Sequence, residues 1–177
     1  ILYARPAPTT ICGNWPLCRE NSPLVMCSAR VEPASKALST PLALAKYVKP
    51  YTIVKKAGMR IGIIGLMPDI TILVSKDVSD RIPAFENSEV VNKWAEYLKT
   101  EKKCDLVIAL THIGFENEPY LDQMLVRRTR NVDLVVGGHS HTYLKAPHYE
   151  PNLDGVPVPI VQDGEWGLNV GNLKISR

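Results

Sequence analysis

The feature that most constrains this chain is a pattern that occurs twice: a continuous apolar run that breaks into a turn bearing glycine and histidine. LVIALTHIG spans residues 106–114 and LVVGGHSH spans residues 134–141. A run without polar alternation suits a strand covered on both faces, as in a parallel sheet. Helical periodicity precedes each run. In residues 88–103, Ser88 can cap and Val91, Trp94, Ala95 and Leu98 recur at three- and four-residue steps. Residues 119–128 carry a shorter helix spaced by Leu121, Met124, Leu125 and Arg128. Strand, helix, strand, helix, strand is the grammar of an α/β layer joined by right-handed crossovers.

The flanks extend this reading. YTIVKKAGMRIGIIGLMPD, from Tyr51, predicts a hairpin with its turn at residues 56–58. PVPIVQDGEWGLNVGNLKIS predicts two further strands joined through residues 164–167. Residues 1–46 match no such pattern: the stretch is rich in Pro, Ser, Thr and Ala, with a strand-like run only at 22–29. It reads as a degenerate or truncated N-terminal segment, and residues 47–177 as the ordered domain.

Composition removes several functional classes. A length of 177 residues with 45% hydrophobic content supports one domain with a core. The net charge of +3 is spread along the chain without a basic run, so a nucleic-acid partner is not expected. No apolar stretch is long enough for a membrane span, and the N-terminus shows no signal-peptide zones. Cys12, Cys18, Cys27 and Cys104 stand at irregular spacings that form no zinc-finger array. No GxGxxG or GxxxxGK[ST] loop is present, which weakens a plain nucleotide-binding module with structural histidines.

The chemistry gathers on three of the four histidines. His112 follows one apolar run, and His139 and His141 follow the next across Gly137 and Gly138. In open α/β sheets, loops beyond the carboxyl ends of the strands converge on one crevice, where ligands bind. A lone strand-end histidine is more often a hydrogen-bonding or surface group than a ligand. Three at equivalent strand ends point to a divalent-metal site, because imidazole suits zinc and manganese-type ions. The glycine pair would let the backbone turn tightly and approach a bound ion or phosphate. His148, in the polar stretch APHYEPNLDG, is expected in solvent.

At these residues a resemblance becomes plain. GMRIGIIGLMPD, CDLVIALTHIGFENE, NVDLVVGGHSHTYL and VPIVQDGEWGLNVGNLKI resemble, in order and spacing, the latter part of the metallophosphatase domain of the 5'-nucleotidases. These are a branch of the calcineurin-like metallophosphoesterases, and the match covers residues 47–175. The resemblance implies part of a layered αββα sandwich, two divalent metals (zinc, manganese or similar), and hydrolysis of nucleoside 5'-monophosphates to nucleoside and phosphate. It makes His112 and His139 ligands of the second metal site and His141 a ligand of the first. It also implies a periplasmic or cell-envelope location.

The resemblance breaks at the N-terminal side. The family takes an Asp, a His and a bridging Asp from two early strands, whereas no Asp, Glu or His precedes Gly13 here. Its next motif, Gly-Asn-His-Glu-Phe-Asp, supplies a metal-binding Asn and a His and Asp that assist catalysis. Gly13 and Asn14 fit that motif, but Trp15 stands at the histidine and Cys18 at the aspartate. Asn14 is therefore a candidate ligand and no catalytic residue is assigned. With this ligand set the chain is expected to hold about one metal and to be an impaired hydrolase. The family's base-recognition domain is not in the sequence, so that function would fall to a separate domain or chain. The alternative is a non-catalytic metal-binding or scaffold subunit that keeps the fold.

Overall fold

The structure, a computed structural model, describes residues 2–6, 49–68, 75–79, 86–115 and 121–175. The expected strand at 22–29, and Asn14, Trp15 and Cys18, lie outside these residues.

The predicted hairpin forms from β2 (Tyr51–Lys56) and β3 (Met59–Leu66), in register from Tyr51↔Ile64 to Lys56↔Met59. Its two-residue turn places Ala57 at φ 51° and Gly58 at φ 77°, the pair of left-handed residues that matches the twist of the flanking strands. A short helix α1 (Lys76–Ser79) leads to α2 (Asn87–Thr100). The cap of α2 is not Ser88 but Glu86, whose side chain accepts from Glu89 N while Ser88 donates its hydroxyl to the same carboxylate. Glu86 occupies the extended conformation of a cap, and Ser88 is already inside the first turn.

Next come β4 (Leu106–Thr111), a six-residue helix α3 (Asp122–Arg127) and β5 (Leu134–Val136). A strand not expected from the sequence, β6 (His148–Pro151), pairs antiparallel with β7 (Pro157–Val161). His148 is therefore not in a solvent loop. Its Nε2 lies 2.8 Å from Glu150 Oε1, and its ring meets the Phe115 ring edge-on at 5.2 Å. Glu150, only 6% exposed, also accepts two hydrogen bonds from Arg127, at 2.9 and 3.1 Å. A short strand carrying His, Tyr and Glu lacks the apolar signature by which strands are recognised.

The six strands form a mixed sheet in the order β2-β3-β4-β5-β7-β6, with β3, β4, β5 and β7 parallel. Helix α2 packs on β3 and β4, α3 packs on β6 and β7, and the two helices touch, so they cover one face. Val91, Ala95 and Leu98 of α2 are sealed against Ile64, Val107 and Ala109. Burial of each larger side chain contributes about 1.5–3 kcal/mol. Gly62 permits this approach, because a Cβ there would lie 2.8 Å from Leu98 Cδ1. The last strand, β8 (Asn169–Leu173), pairs not with β7 but antiparallel with β1 (Leu2–Pro6), in a separate two-stranded sheet. No helix among the described residues is long and apolar enough to cross a membrane.

Candidate metal centre

The parallel strands β3, β4, β5 and β7 end along one edge, and the loops beyond that edge carry the candidate residues. His112, one residue past β4, donates its backbone N–H to Leu66 O at 2.9 Å, so it is fixed against the end of β3. Past β5, Gly137 N donates to Val161 O at 2.8 Å and holds the chain alongside β7 before it turns. The His112 and His139 rings then meet at 5.1 Å with their planes at 70°.

The glycine pair is required by the protein itself. A Cβ on Gly138 would lie 3.1 Å from His112 Nδ1, and one on Gly137 would lie 2.3 Å from Asp122 Oδ2. The tight turn comes instead from the histidines, with His139 at φ 81° and His141 at φ 55°. Non-glycine residues in this left-handed region cost on the order of 1–3 kcal/mol each and persist only where the surroundings hold them.

A hydrogen-bond scaffold does the holding. Phe115 N donates to Ser140 Oγ at 2.9 Å, and the Ser140 and Thr142 hydroxyls bond at 2.9 Å. The Gln162 carboxamide oxygen, turned toward the loop, accepts from His141 N and Thr142 N at 3.1 Å each. Gln162 is 2% exposed, so its oxygen is a buried acceptor matched to two backbone donors of the histidine turn. Beneath the turn Asp122 has no exposed surface, and its Oδ1 accepts from Thr111 Oγ1 at 2.6 Å. Burial pushes the Asp122 carboxyl up to about 7, against the smaller opposing effect of that hydrogen bond.

Electrostatics favour neutral imidazole at His112. Partial desolvation, and then the neighbouring His139 and His141, lower its pKa from the ordinary value. A neutral ring keeps the lone pair that a metal ligand needs. His141 has a partner of its own: its Nδ1 lies 2.7 Å from Glu165 Oε2. The structure thus brings His112 and His139 into contact, with His141 on the adjoining turn. Among the described residues no group of three or more His, Cys, Asp or Glu is arranged to hold one ion.

Three functional candidates escaped the sequence reading: Asp122, Gln162 and Glu165. The strand-end argument applied to LVIAL and LVV holds equally for PVPIV, and would have drawn attention to Gln162 and Glu165. Asp122 could be noticed only as a carboxylate opening a short helix between two histidine turns.

The donor set fits a divalent ion in kind. His112 and His139 bring two imidazoles edge-to-face at 5.1 Å, and imidazole nitrogen is a donor that such ions take. In number the fit needs further donors, since such ions take four or more. Water and substrate oxygens are available sources.

A helix-covered mixed sheet with its parallel strands ending along one edge is an α/β fold shared with calcineurin-like phosphoesterases. The crystal structure of the calcineurin-like phosphoesterase YfkN from Bacillus subtilis superimposes with a TM-score of 0.52 over 73% of this chain and 47% of that one, at 21% identity. The 5'-nucleotidase precursor from Thermus thermophilus superimposes with a TM-score of 0.58 over 72% of this chain and 26% of that one, at 30% identity. A 5'-nucleotidase-related protein of Glossina morsitans morsitans is 35% identical over 151 residues, 75% of this chain and 25% of that protein. No family model matches the chain. The chain belongs to the 5'-nucleotidase family, and it spans about a quarter of the length of the curated relatives it matches.

Proposed function

We propose that the chain carries the second-site half of a metal-dependent phosphomonoester hydrolase centre, with a nucleoside 5'-monophosphate as the parent substrate class. The observation that carries this reading is the edge contact of His112 and His139, from adjacent parallel strands, at 5.1 Å. His112 and His139 would hold one divalent ion, zinc or manganese in type, and His141 would face a second position. Such ions, when bound, supply Lewis-acid activation of water and neutralise phosphate charge.

The chain's own residues set the geometry for that chemistry. Thr111, Asp122 and Gly137 fix the two turns at one separation, and Gln162 and Ser140 fix the path of the His-x-His segment. Desolvation shifts His112 toward its neutral form. The resemblance puts leaving-group protonation on positions that are Trp15 and Cys18 here, and neither supplies an equivalent acid. Losing a general acid costs about 10²- to 10⁴-fold in rate.

The expected outcome is slow hydrolysis of p-nitrophenyl phosphate with manganese or zinc, and almost none of AMP, because a phenolate leaves without protonation and an alkoxide does not. His139→Ala should abolish the p-nitrophenyl phosphatase activity. Steady-state assays with and without chelator check this. Robust AMP hydrolysis would contradict the impairment, and loss of all activity with metal bound would contradict the hydrolase reading.

A further inference from the structure

The turn that follows β7 carries a carboxylate to the histidine segment. Glu165 Oε2 lies 2.7 Å from His141 Nδ1, and both side chains are well exposed. Backbone contacts rather than the side-chain contact itself bring the two together. Gly164 N donates to Thr142 O at 3.0 Å, and Tyr143 and Asp163 form an antiparallel bridge beside it. The turn is wound so that Gly164, Trp166 and Gly167 take φ values of 77°, 61° and 66°. Leu168 N closes it on Glu165 O at 3.3 Å. On the facing side His141 is itself left-handed, with its N–H held by buried Gln162.

Two strained turns locked against each other are an unusual setting for an exposed surface pair, whose ends normally sit on mobile side chains. A ligating histidine, by contrast, commonly donates its second ring N–H to a carboxylate, which fixes tautomer and ring orientation. We propose that Glu165 is the positioning residue of His141: it accepts Nδ1–H and so leaves Nε2 as the lone-pair nitrogen, held in one orientation for a divalent ion. A fourth histidine shows the contrasting case. His148 also meets a carboxylate, but Glu150 is buried and already engaged by two bonds from Arg127.

This inference rests on the reading of His141 as a metal ligand, and the experiment separates the two. Manganese and zinc, each alone, are titrated calorimetrically into the chain and into Glu165→Gln, His141→Ala and the double variant. Nitrogen-15 spectra of the metal-free histidines report the His141 tautomer. Glu165→Gln should weaken metal binding about 10- to 100-fold, leave the melting temperature unchanged, and shift metal-free His141 away from the Nδ1–H tautomer. The double variant should bind no more weakly than His141→Ala, because Glu165 acts through that ring. Unchanged affinity in Glu165→Gln, with affinity lost in His141→Ala, overturns the positioning role alone. A double variant weaker than His141→Ala also overturns it, since Glu165 would then be a ligand. If His141→Ala binds metal as the parent chain does, the ligand reading itself falls.

Discussion

Asp122 lies with no solvent exposure beneath the histidine turns, one carboxyl oxygen bonded to Thr111 and the other without a partner among the described residues. A buried carboxyl in that state is more easily kept neutral than charged, which is why it titrates near 7 rather than near 3.8. The folded chain then binds a proton that the unfolded chain has released. Stability is fully present below about pH 4 and falls as pH rises toward 7, by up to about 4 kcal/mol at roughly 1.4 kcal/mol per pH unit. His112 works in the opposite sense, because its lowered pKa makes the folded state resist protonation as pH falls below the ordinary histidine range. The wild-type curve is therefore a composite, and Asp122→Asn isolates one part of it. Urea unfolding from pH 4 to 8 should show the Asn variant gaining a few kcal/mol on the parent at the alkaline end. Parallel curves for the two proteins would show that Asp122 is charged throughout.

Between elements, the α2–β3 contact is set by a single missing side chain. A Cβ on Gly62 would lie 2.8 Å from Leu98 Cδ1 and 3.3 Å from Cys104 Sγ, and Leu98 has no exposed surface into which to retreat. Gly62→Ala should destabilise the chain by about 1–3 kcal/mol, the usual cost of overpacking. Leu98→Ala alone leaves a cavity and should cost about 2–5 kcal/mol. Since each change relieves the other, the double variant should cost less than the two combined, and a denaturant double-mutant cycle measures the difference. Additivity would mean that α2 shifts as a body and that the glycine is not what places it. The same helix was legible from Val91, Trp94, Ala95 and Leu98, but its cap was not. Ser88 and Glu86 both have capping chemistry, and backbone conformation, which sequence does not display, chose Glu86.

At the scale of the whole molecule, burial is unevenly distributed. Ile64, Val107, Val135 and Ile160, from four adjacent parallel strands, are fully buried. In β8, by contrast, Val170 and Leu173 remain 44% and 40% exposed, and beside it Leu168 is 63% exposed. A strand whose apolar side chains are this exposed opens at small cost, whereas central strands open only with the whole fold. Hydrogen exchange should therefore run roughly 100-fold or more faster at the amides of β8 than at those of β3 and β4. Equal protection would mean that β8 folds in one cooperative unit with the six-stranded sheet.

The amino-acid sequence by itself determined where the parallel strands β4 and β5 end and which residues stand at those ends. An apolar run followed by a glycine- or histidine-bearing turn is a local property, carried by consecutive residues, and His112 and His139 follow from it. The tertiary structure alone decided what meets what beyond that edge. Asp122 lies under Gly137, Gln162 accepts from the turn at His141, Glu165 reaches the His141 ring, and β8 pairs with β1 rather than with its neighbour in the chain. Periodicity reports how deeply each residue is buried, one position at a time. These contacts join residues that are distant in sequence, and their partners are fixed by strand order, by twist and by left-handed turns that become affordable only once the surrounding sheet is in place.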